Sequence, residues 1–193
     1  MKKFELTAES KINIFGKKLF RIKALISFGD VEEGETGGWI EKEENLEQSS
    51  GNAWVYGNAE VYGNARVYGN AEVYGNAWVY GNARVSGNVW VYGNAWVYGN
   101  AEVYGNAEVS GNAEVSGNAD YTTIHGFGTQ FRTTTFFQCE DKQIRVSCGC
   151  FLGTIPEFRE QVKNTREGKI AEEYLMIADL MEKHFVKEKE SGE

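Results

Sequence analysis

The long middle stretch of the chain, residues 51–120, contains no histidine, no cysteine and no lysine. Histidine is the side chain that most often serves as a general base, and zinc is bound by histidine and cysteine. This stretch therefore has neither a histidine base nor the usual zinc ligands. We predict a protein that has no catalytic residues, needs no cofactor and is not an enzyme.

Targeting segments and disulfide frameworks are also missing from the sequence. No apolar run reaches the roughly 20 residues that cross a membrane. The start, Met1–Leu6, has two lysines but no apolar signal segment. The three cysteines are an odd number confined to one region, which argues against a disulfide framework. We expect a cytoplasmic protein that has no membrane partner.

Basic segments are the third absence. The formal net charge is −8, and residues 1–50, 51–120 and 121–193 contribute −2, −4 and −2. Proteins that bind the phosphate backbone usually carry a basic face or a basic segment. We therefore expect no direct binding to duplex nucleic acid.

Residues 51–120 consist of one hexapeptide, Gly-Asn-Ala-x-Val-Tyr, whose 12 copies begin at successive positions from Gly51 to Gly117. Alanine and valine point to one side of a short strand, and the variable residue and tyrosine point to the other. The Gly-Asn pair favours a turn because both residues tolerate positive φ. Three copies make a coil of about 18 residues, which predicts a parallel β-helix around a column of valine and alanine.

The flanking segments predict smaller elements. Alternating apolar residues predict a β-hairpin or a small sheet over residues 4–26. Residues 29–46 are interpreted as an irregular first coil that caps the repeats, and the alternative is an acidic surface loop. Threonine and aromatic residues predict strands between residues 121 and 148. A capping box of Thr154 and Glu157 predicts a helix that Gly168 ends, and a second helix follows over about residues 169–187.

Stacking by 18 residues predicts which outward side chains meet. Trp78 lies over Trp96 and Tyr80 over Tyr98, which would form an aromatic patch for a partner protein or a second copy of the chain. The alternative is that stacked aromatic rings only stiffen the walls. We expect a homodimer or homotrimer. The predicted interface residues are Trp54, Trp78, Trp90, Trp96, Tyr80, Tyr98, Arg66 and Arg84.

Three features of the C-terminal segment could carry chemistry. A glycine-rich loop could bind phosphate or carboxylate, and the alternative is an ordinary turn. A cysteine cluster with one histidine could form a Cys₃His zinc site, and the alternative is a set of reduced thiols. Cys148 with His125 or His184 could be a catalytic pair, although no local signature supports it. The loop residues are Gly126, Gly128, Thr129, Arg132, Thr133 and Thr134, and the cluster residues are Cys139, Cys148, Cys150 and His125.

The repeat resembles the left-handed hexapeptide-repeat β-helix, in which an aliphatic residue is followed four positions later by a small one, as Val55 is by Ala59. Acyltransferases and carbonic anhydrases of that fold use histidines that residues 51–120 lack. The expected fold class is therefore mainly β, a left-handed parallel β-helix with an N-terminal β cap and a small C-terminal α+β module. The expected parts are residues 1–50 (hairpin and capping coil), 51–122 (β-helix) and 123–193 (β-β-α-α module).

Both flanks resemble hexapeptide-repeat proteins of phages and prophages of Gram-positive bacteria. The similarity lies in residues 19–25, 28–31, 37–41 and 44–46, in the Gly-Asn-Ala repeats, and in the block from Cys148 to Phe158. The resemblance implies a β-helix and a phage-linked setting in the bacterial cytoplasm. It implies no catalytic residues.

The leading hypothesis is a non-enzymatic binding protein, encoded by a phage as a counter-defence factor. Such a protein would block a host protein or sequester a small nucleotide signal. One alternative is a structural scaffold that polymerises end to end. Another is an acidic mimic of nucleic acid that uses the outward glutamates of the repeats.

Overall fold

A computed structural model describes residues 2–185 of the chain. Strands β1 (Phe4–Ile12) and β2 (Lys18–Ala24) form an antiparallel hairpin, and β3 (Thr36–Ile40) pairs with β2 in the same sense. Ile22 and Ala24 are buried and Lys23 is exposed, as their alternation requires. The predicted N-terminal hairpin is confirmed.

The repeats form eleven two-residue strands, β4 to β14, within the described part of the chain, and the strands stack in three parallel ladders. Each of the strands β4 to β11 pairs with the strand 18 residues further on, so that Glu60 is level with Trp78 and Trp78 with Trp96. The predicted parallel β-solenoid is confirmed, whereas its left-handed winding stays a prediction. The strands in order are β4 (Trp54–Val55), β5 (Glu60–Val61), β6 (Arg66–Val67), β7 (Glu72–Val73), β8 (Trp78–Val79), β9 (Arg84–Val85), β10 (Trp90–Val91), β11 (Trp96–Val97), β12 (Glu102–Val103), β13 (Glu108–Val109) and β14 (Glu114–Val115).

The three ladders give the solenoid three walls, which we name by their outward side chains. The aromatic face contains β5, β8, β11 and β14 together with Tyr62, Tyr80 and Tyr98. The mixed face contains β4, β7, β10 and β13, and the arginine face contains β6, β9 and β12. The repeat valines and alanines from Ala53 to Val115 are buried in one continuous core. Burying each valine stabilises the fold by roughly 1.5–3 kcal/mol.

The Gly-Asn corners explain why the repeat varies so little there. Gly69 has a φ of +70°, and a Cβ at this position would lie 2.9 Å from the backbone nitrogen of Gly87 in the next coil. Only glycine fits both the conformation and the close approach. Beside it the asparagines bond from coil to coil, and the Asn64 amide donates to the Asn82 side-chain oxygen at 3.1 Å. The corner residues thus hold successive coils together.

The acidic segment before the repeats is an irregular coil that joins the solenoid. In β3, Trp39 and Ile40 pair in parallel with Glu60 and Val61, an offset of 21 residues rather than 18. This pairing favours the predicted capping coil over a surface loop. The buried Lys3 ammonium closes this end of the stack because it donates to the Ala53 carbonyl at 3.2 Å.

The C-terminal module has more strands than the predicted β-β-α-α order. Strands β15 (Tyr121–Phe127), β16 (Arg132–Gln138), β17 (Ile144–Cys148) and β18 (Phe151–Thr154) form an antiparallel sheet. Helices α1 (Ile155–Thr165) and α2 (Gly168–Phe185) follow it. The prediction missed β18 because four residues with a glycine give a weak strand signal. The end of the predicted second helix, residues 186–187, lies outside the described part.

The helix signals in the sequence are mostly confirmed. Thr154 caps α1, and its hydroxyl accepts from the Glu157 backbone N–H while the Glu157 carboxylate accepts from the Thr154 N–H at 2.7 Å. Gly168 does not end α1 as predicted. The helix ends at Thr165, and Gly168, with a φ of +57°, begins α2.

Strand alternation in β16 joins the two halves of the molecule. Phe137 points into the end of the solenoid core, where it packs with Tyr121 and Cys139. The next residue back, Phe136, points the opposite way into a second core built with Phe158 and other α1 and α2 residues. One sheet therefore covers the last coil with one face and carries the helices on the other. No helix of residues 2–185 has the length and apolar character needed to cross a membrane.

Candidate functional site

The aromatic face carries two parallel columns of stacked rings. Trp78 and Trp96 stack with ring centroids 5.0 Å apart and planes 9° from parallel. Tyr80 stacks between Tyr62 and Tyr98, with centroids 5.1 Å apart on both sides. The 18-residue register produces these columns because identical side chains occupy the same site in successive coils.

The tip of the N-terminal hairpin extends the aromatic face. Phe15 lies 5.7 Å from Trp78 and 6.0 Å from Tyr80 between ring centroids. Ile14 beside it is 78% exposed and Phe15 is 53% exposed. The hairpin tip therefore packs against the columns, where Tyr62 is buried and Trp78 and Tyr80 are half-buried, and it adds two exposed apolar side chains to them. The sequence prediction missed these residues, although isoleucine and phenylalanine next to the turn glycine Gly16 were a visible signal.

The acidic side chains at the two ends of the aromatic face are neutralised by cations. Lys11 forms an ion pair with Glu60 at 2.9 Å, and the Asn13 amide donates to the same carboxylate at 3.0 Å. At the other end, Lys142 forms an ion pair with Glu114 at 2.9 Å. The aromatic face between these pairs carries no net charge.

The tyrosines of this face stay neutral phenols at physiological pH. Burial raises the pKa of Tyr80 above its ordinary value, and the nearby Glu114 raises it further. The hydrogen bond from Tyr98 to the Glu114 carboxylate, together with burial, raises the pKa of Tyr98 to about 12. Deprotonation therefore adds no charge to the columns.

Trp54 does not belong to the interface for which it was predicted. It is fully buried, because Phe4 and Phe28 of the N-terminal segment pack edge-on against its ring at centroid distances of 6.1 and 5.4 Å. Among residues 2–185, its indole N–H has no hydrogen-bond partner. The pattern places this side chain outward correctly, but the polypeptide that covers the first coil removes it from any interface.

The other predicted interface residues do not share one surface. Trp90 is on the mixed face and is 47% exposed. Arg66 and Arg84 lie level with each other on the arginine face, where Arg84 forms a 3.3 Å ion pair with Glu102. Only Trp78, Trp96, Tyr80 and Tyr98 are brought together.

Half of the predicted ligand loop lines a cleft in the C-terminal module. Gly128, Thr129 and Arg132 border a cleft of 590 Å³ between the β15–β16 turn and the segment that joins α1 to α2. The opposite wall carries Arg166 and Tyr174, which the sequence prediction missed because the linker arginine is remote from the loop in sequence.

The remaining loop residues lie elsewhere. Gly126 is in β15 rather than in the turn, and Thr133 lies within 3.3 Å of the exposed His125 ring. Thr134 is buried, and its hydroxyl donates to the Cys148 sulfur at 3.2 Å. Strand alternation turns Thr133 away from the side of the sheet that holds Arg132 and Thr134.

The cysteines do not form the suggested zinc site. Cys139 is in the solenoid core, where burial raises the pKa of its thiol to about 11, whereas Cys148 borders the core of the helices and Cys150 is exposed. Among residues 2–185, no group of three such ligands could hold a metal ion. The Cys148 sulfur accepts a hydrogen bond from Thr134 rather than from either histidine named for a catalytic pair.

The stacked coils and their closed ends define the class of protein, a parallel β-solenoid with repeats of six residues. Residues 59–75, 65–81 and 77–93 match the YdcK Beta solenoid repeat. These stretches lie inside the solenoid, so the likeness supports its fold and does not extend to the flanking modules. A comparison with curated proteins finds no match.

Proposed function

We propose that the protein is a non-enzymatic binding protein whose aromatic face joins two copies of the chain. The observation that carries this proposal is the apolar surface made by the stacked tryptophans and tyrosines with the exposed hairpin tip. In the phage setting implied by the resemblance, the paired protein would block a host protein or sequester a nucleotide signal.

The exposed hairpin tip supports the proposal that a partner covers this surface. Exposure of large apolar side chains such as Ile14 and Phe15 to water is unfavourable, and soluble proteins rarely display a contiguous apolar patch without a partner. The rings of Trp78 and Trp96 continue this patch along the solenoid. Their stack is rigid, so little conformational entropy would be lost when the surface is buried.

Charge supports a second copy as the partner. Two chains of net charge −8 repel each other over most of their surface. The aromatic face is where this repulsion is smallest, because Lys11 and Lys142 neutralise its terminal glutamates. A neutral apolar face is complementary to itself.

Symmetry favours a dimer. A two-fold axis across the stack would place Trp78 of one copy against Trp96 of the other, and the reverse contact follows automatically. Within residues 2–185, this combination of stacked tryptophans and a hairpin tip occurs on one wall of three. Pairing through a single wall is complete with two copies.

The alternative functions have less support. End-to-end polymerisation needs open ends, but Lys3 with the irregular first coil covers one end and the β15–β18 sheet covers the other. Mimicry of nucleic acid needs a continuous acidic surface. Glu60, Glu102 and Glu114 lie on different walls or in ion pairs.

The test is the mass of the protein in solution, measured by sedimentation equilibrium over a range of concentrations. We expect the wild type to be a dimer. The Trp96→Glu variant should be a monomer, because the new carboxylate would be buried against Trp78 of the other copy without a partner. The association constant should fall by more than about 100-fold, or roughly 3 kcal/mol.

Trp90→Glu is the matched control, since it makes the same change on the mixed face and should leave the dimer intact. A wild-type protein that stays monomeric at all concentrations would contradict the proposal, as would a Trp96→Glu protein that dimerises normally. Circular dichroism of both variants checks that the solenoid is folded.

A further inference from the structure

We infer that the cleft between the β15–β16 turn and the α1–α2 linker binds a small molecule through a phosphate group, held between the guanidinium groups of Arg132 and Arg166. This inference rests on the ligand-binding part of the proposed function, for which it names a site, and it is independent of the proposed dimer because it concerns a different surface. The cleft has a volume of 590 Å³, which is large enough for a phosphate with an organic body attached.

The charged residues that line the cleft are Arg132, Arg166 and Glu167, and the two guanidinium groups leave a net positive charge that favours an anion. Arg132 and Arg166 line the same opening, and within the described residues neither forms an ion pair with a carboxylate within 4.0 Å. By contrast, Arg145 and Arg159 of the same module are paired at 2.7 Å or less with Asp141 and with Asp179 and Glu182. Two unpaired guanidinium groups repel each other, and a doubly charged anion between them removes that repulsion.

The positive charges of Arg132 and Arg166 both act on the Tyr174 hydroxyl group. Burial raises the pKa of Tyr174, and the cations of Arg166 and Arg132 oppose this rise. Tyr174 donates its hydroxyl hydrogen to the Phe127 carbonyl at 3.2 Å, which holds the ring in the wall of the cleft. The phenol stays neutral and brings no negative charge to the opening.

Two glycines make room for these polar groups. Gly149 has a φ of +62°, and a Cβ there would collide with the Arg132 guanidinium, which lies directly over it. Gly128 has a φ of +72°, and a Cβ there would lie 2.5 Å from the Tyr174 hydroxyl oxygen. Close packing against glycine backbone orients the Arg132 side chain although its end is exposed.

The cleft also has polar and apolar walls suited to an organic phosphate. The Thr129 side chain and the Gln130 side chain border its mouth. A smaller recess of 90 Å³ continues inward from Arg132 and Arg166 and is lined by Phe151, Phe158 and Val162. Arginine pairs bind phosphate by charge-assisted hydrogen bonds, and an apolar recess retains the uncharged part of such a molecule.

The experiment uses isothermal titration calorimetry of the full chain with inorganic phosphate and with AMP as probes. We expect wild-type protein to bind at least one of them. Arg132→Ala and Arg166→Ala should each weaken binding at least about tenfold, which is the usual effect of losing a charge-assisted hydrogen bond. The double variant should not bind detectably.

Arg66→Ala is the matched control, because Arg66 is an exposed arginine on the solenoid without a carboxylate partner within 4.0 Å in the described residues. It should bind as the wild type does. The inference is overturned if folded wild-type protein binds neither probe, or if Arg66→Ala weakens binding as much as the cleft variants do. Measuring dimerisation on the same samples tests the two proposals separately, because the cleft variants should dimerise as the wild type does.

Discussion

At the scale of single residues, one repeat position can be buried in one coil and exposed in another coil of the same ladder. Trp54 and Trp90 both occupy the variable site of the mixed face, two coils apart. Trp54 is fully buried under Phe4 and Phe28, whereas Trp90 is 47% exposed. The free energy that each contributes to folding therefore depends on what covers it.

This difference predicts unequal effects of the same substitution. Trp54→Ala should lower the free energy of unfolding by about 3–5 kcal/mol, because it leaves a cavity between the first coil and the N-terminal segment. Trp90→Ala should lower it by less than about 1 kcal/mol. Urea unfolding followed by circular dichroism measures both, and equal losses would show that the cover over Trp54 contributes no stability.

At the scale of elements, the last coil is joined to the C-terminal module through Glu114 of β14. Its carboxylate accepts from Lys142, in the turn between β16 and β17, at 2.9 Å and from the Tyr98 hydroxyl at 2.7 Å. The hydrogen bond from Lys142 is the largest of the causes that hold the pKa of Glu114 below its ordinary value of 4.5. This joint connects an outer wall of the solenoid to the sheet that closes it.

The lowered pKa of Glu114 predicts that the contribution of this contact to stability depends on pH. A carboxyl group with a lower pKa in the folded state stabilises the fold fully above pH 4.5, and its contribution is lost as the pH falls through the folded-state pKa. Replacing Glu114 with glutamine should therefore reduce the loss of thermal stability between neutral and acidic pH. Thermal unfolding followed by circular dichroism at several pH values measures this.

Lys142→Met provides the second variant, because it removes the main cause of the pKa shift and keeps the carboxyl group. It too should flatten the pH dependence, and by less than Glu114→Gln does. If both variants show the pH dependence of the wild type, the joint does not contribute to acid sensitivity.

At the scale of the whole molecule, the solenoid behaves as a stack in which each coil contacts only its neighbours. Its register repeats every 18 residues in the hydrogen bonds of the backbone and of the asparagine ladders. The two closing modules contact the ends of the stack, and the N-terminal hairpin also reaches Trp78 and Tyr80 through Phe15. The number of coils between them is therefore free to change, provided that the register is kept.

Deletion of residues 81–98 tests this independence. The deletion removes one complete coil and joins Tyr80 to Gly99, so that valine and alanine still point inward. We expect a folded protein with a β-rich circular dichroism spectrum and cooperative thermal unfolding. Deletion of residues 81–97, one residue fewer, should give a less stable protein, because the extra tyrosine must bulge from a corner for the later strands to keep their register. Equal midpoints of thermal unfolding for the two proteins would contradict the role of register.

The amino-acid sequence by itself determined the periodic part of the protein. A period of six with glycine and asparagine at the corners leaves one way to bury Val55 and its equivalents, so the solenoid, its 18-residue coil and the stacking of Trp78 on Trp96 were predictable. The Thr154–Glu157 capping box was predictable for the same reason, because a helix start depends on residues four apart or fewer.

Only the tertiary structure decided what covers the repeats and which distant residues meet. The burial of Trp54, the position of Phe15 beside Trp78, the approach of Arg166 to Arg132 and the separation of Cys139 from Cys148 all depend on chain segments that are remote in sequence. No short-range pattern encodes these contacts, because they follow from where the two closing modules settle on the ends of the stack. The inner face of the solenoid is thus a property of the repeat, and its candidate binding surfaces are properties of the fold.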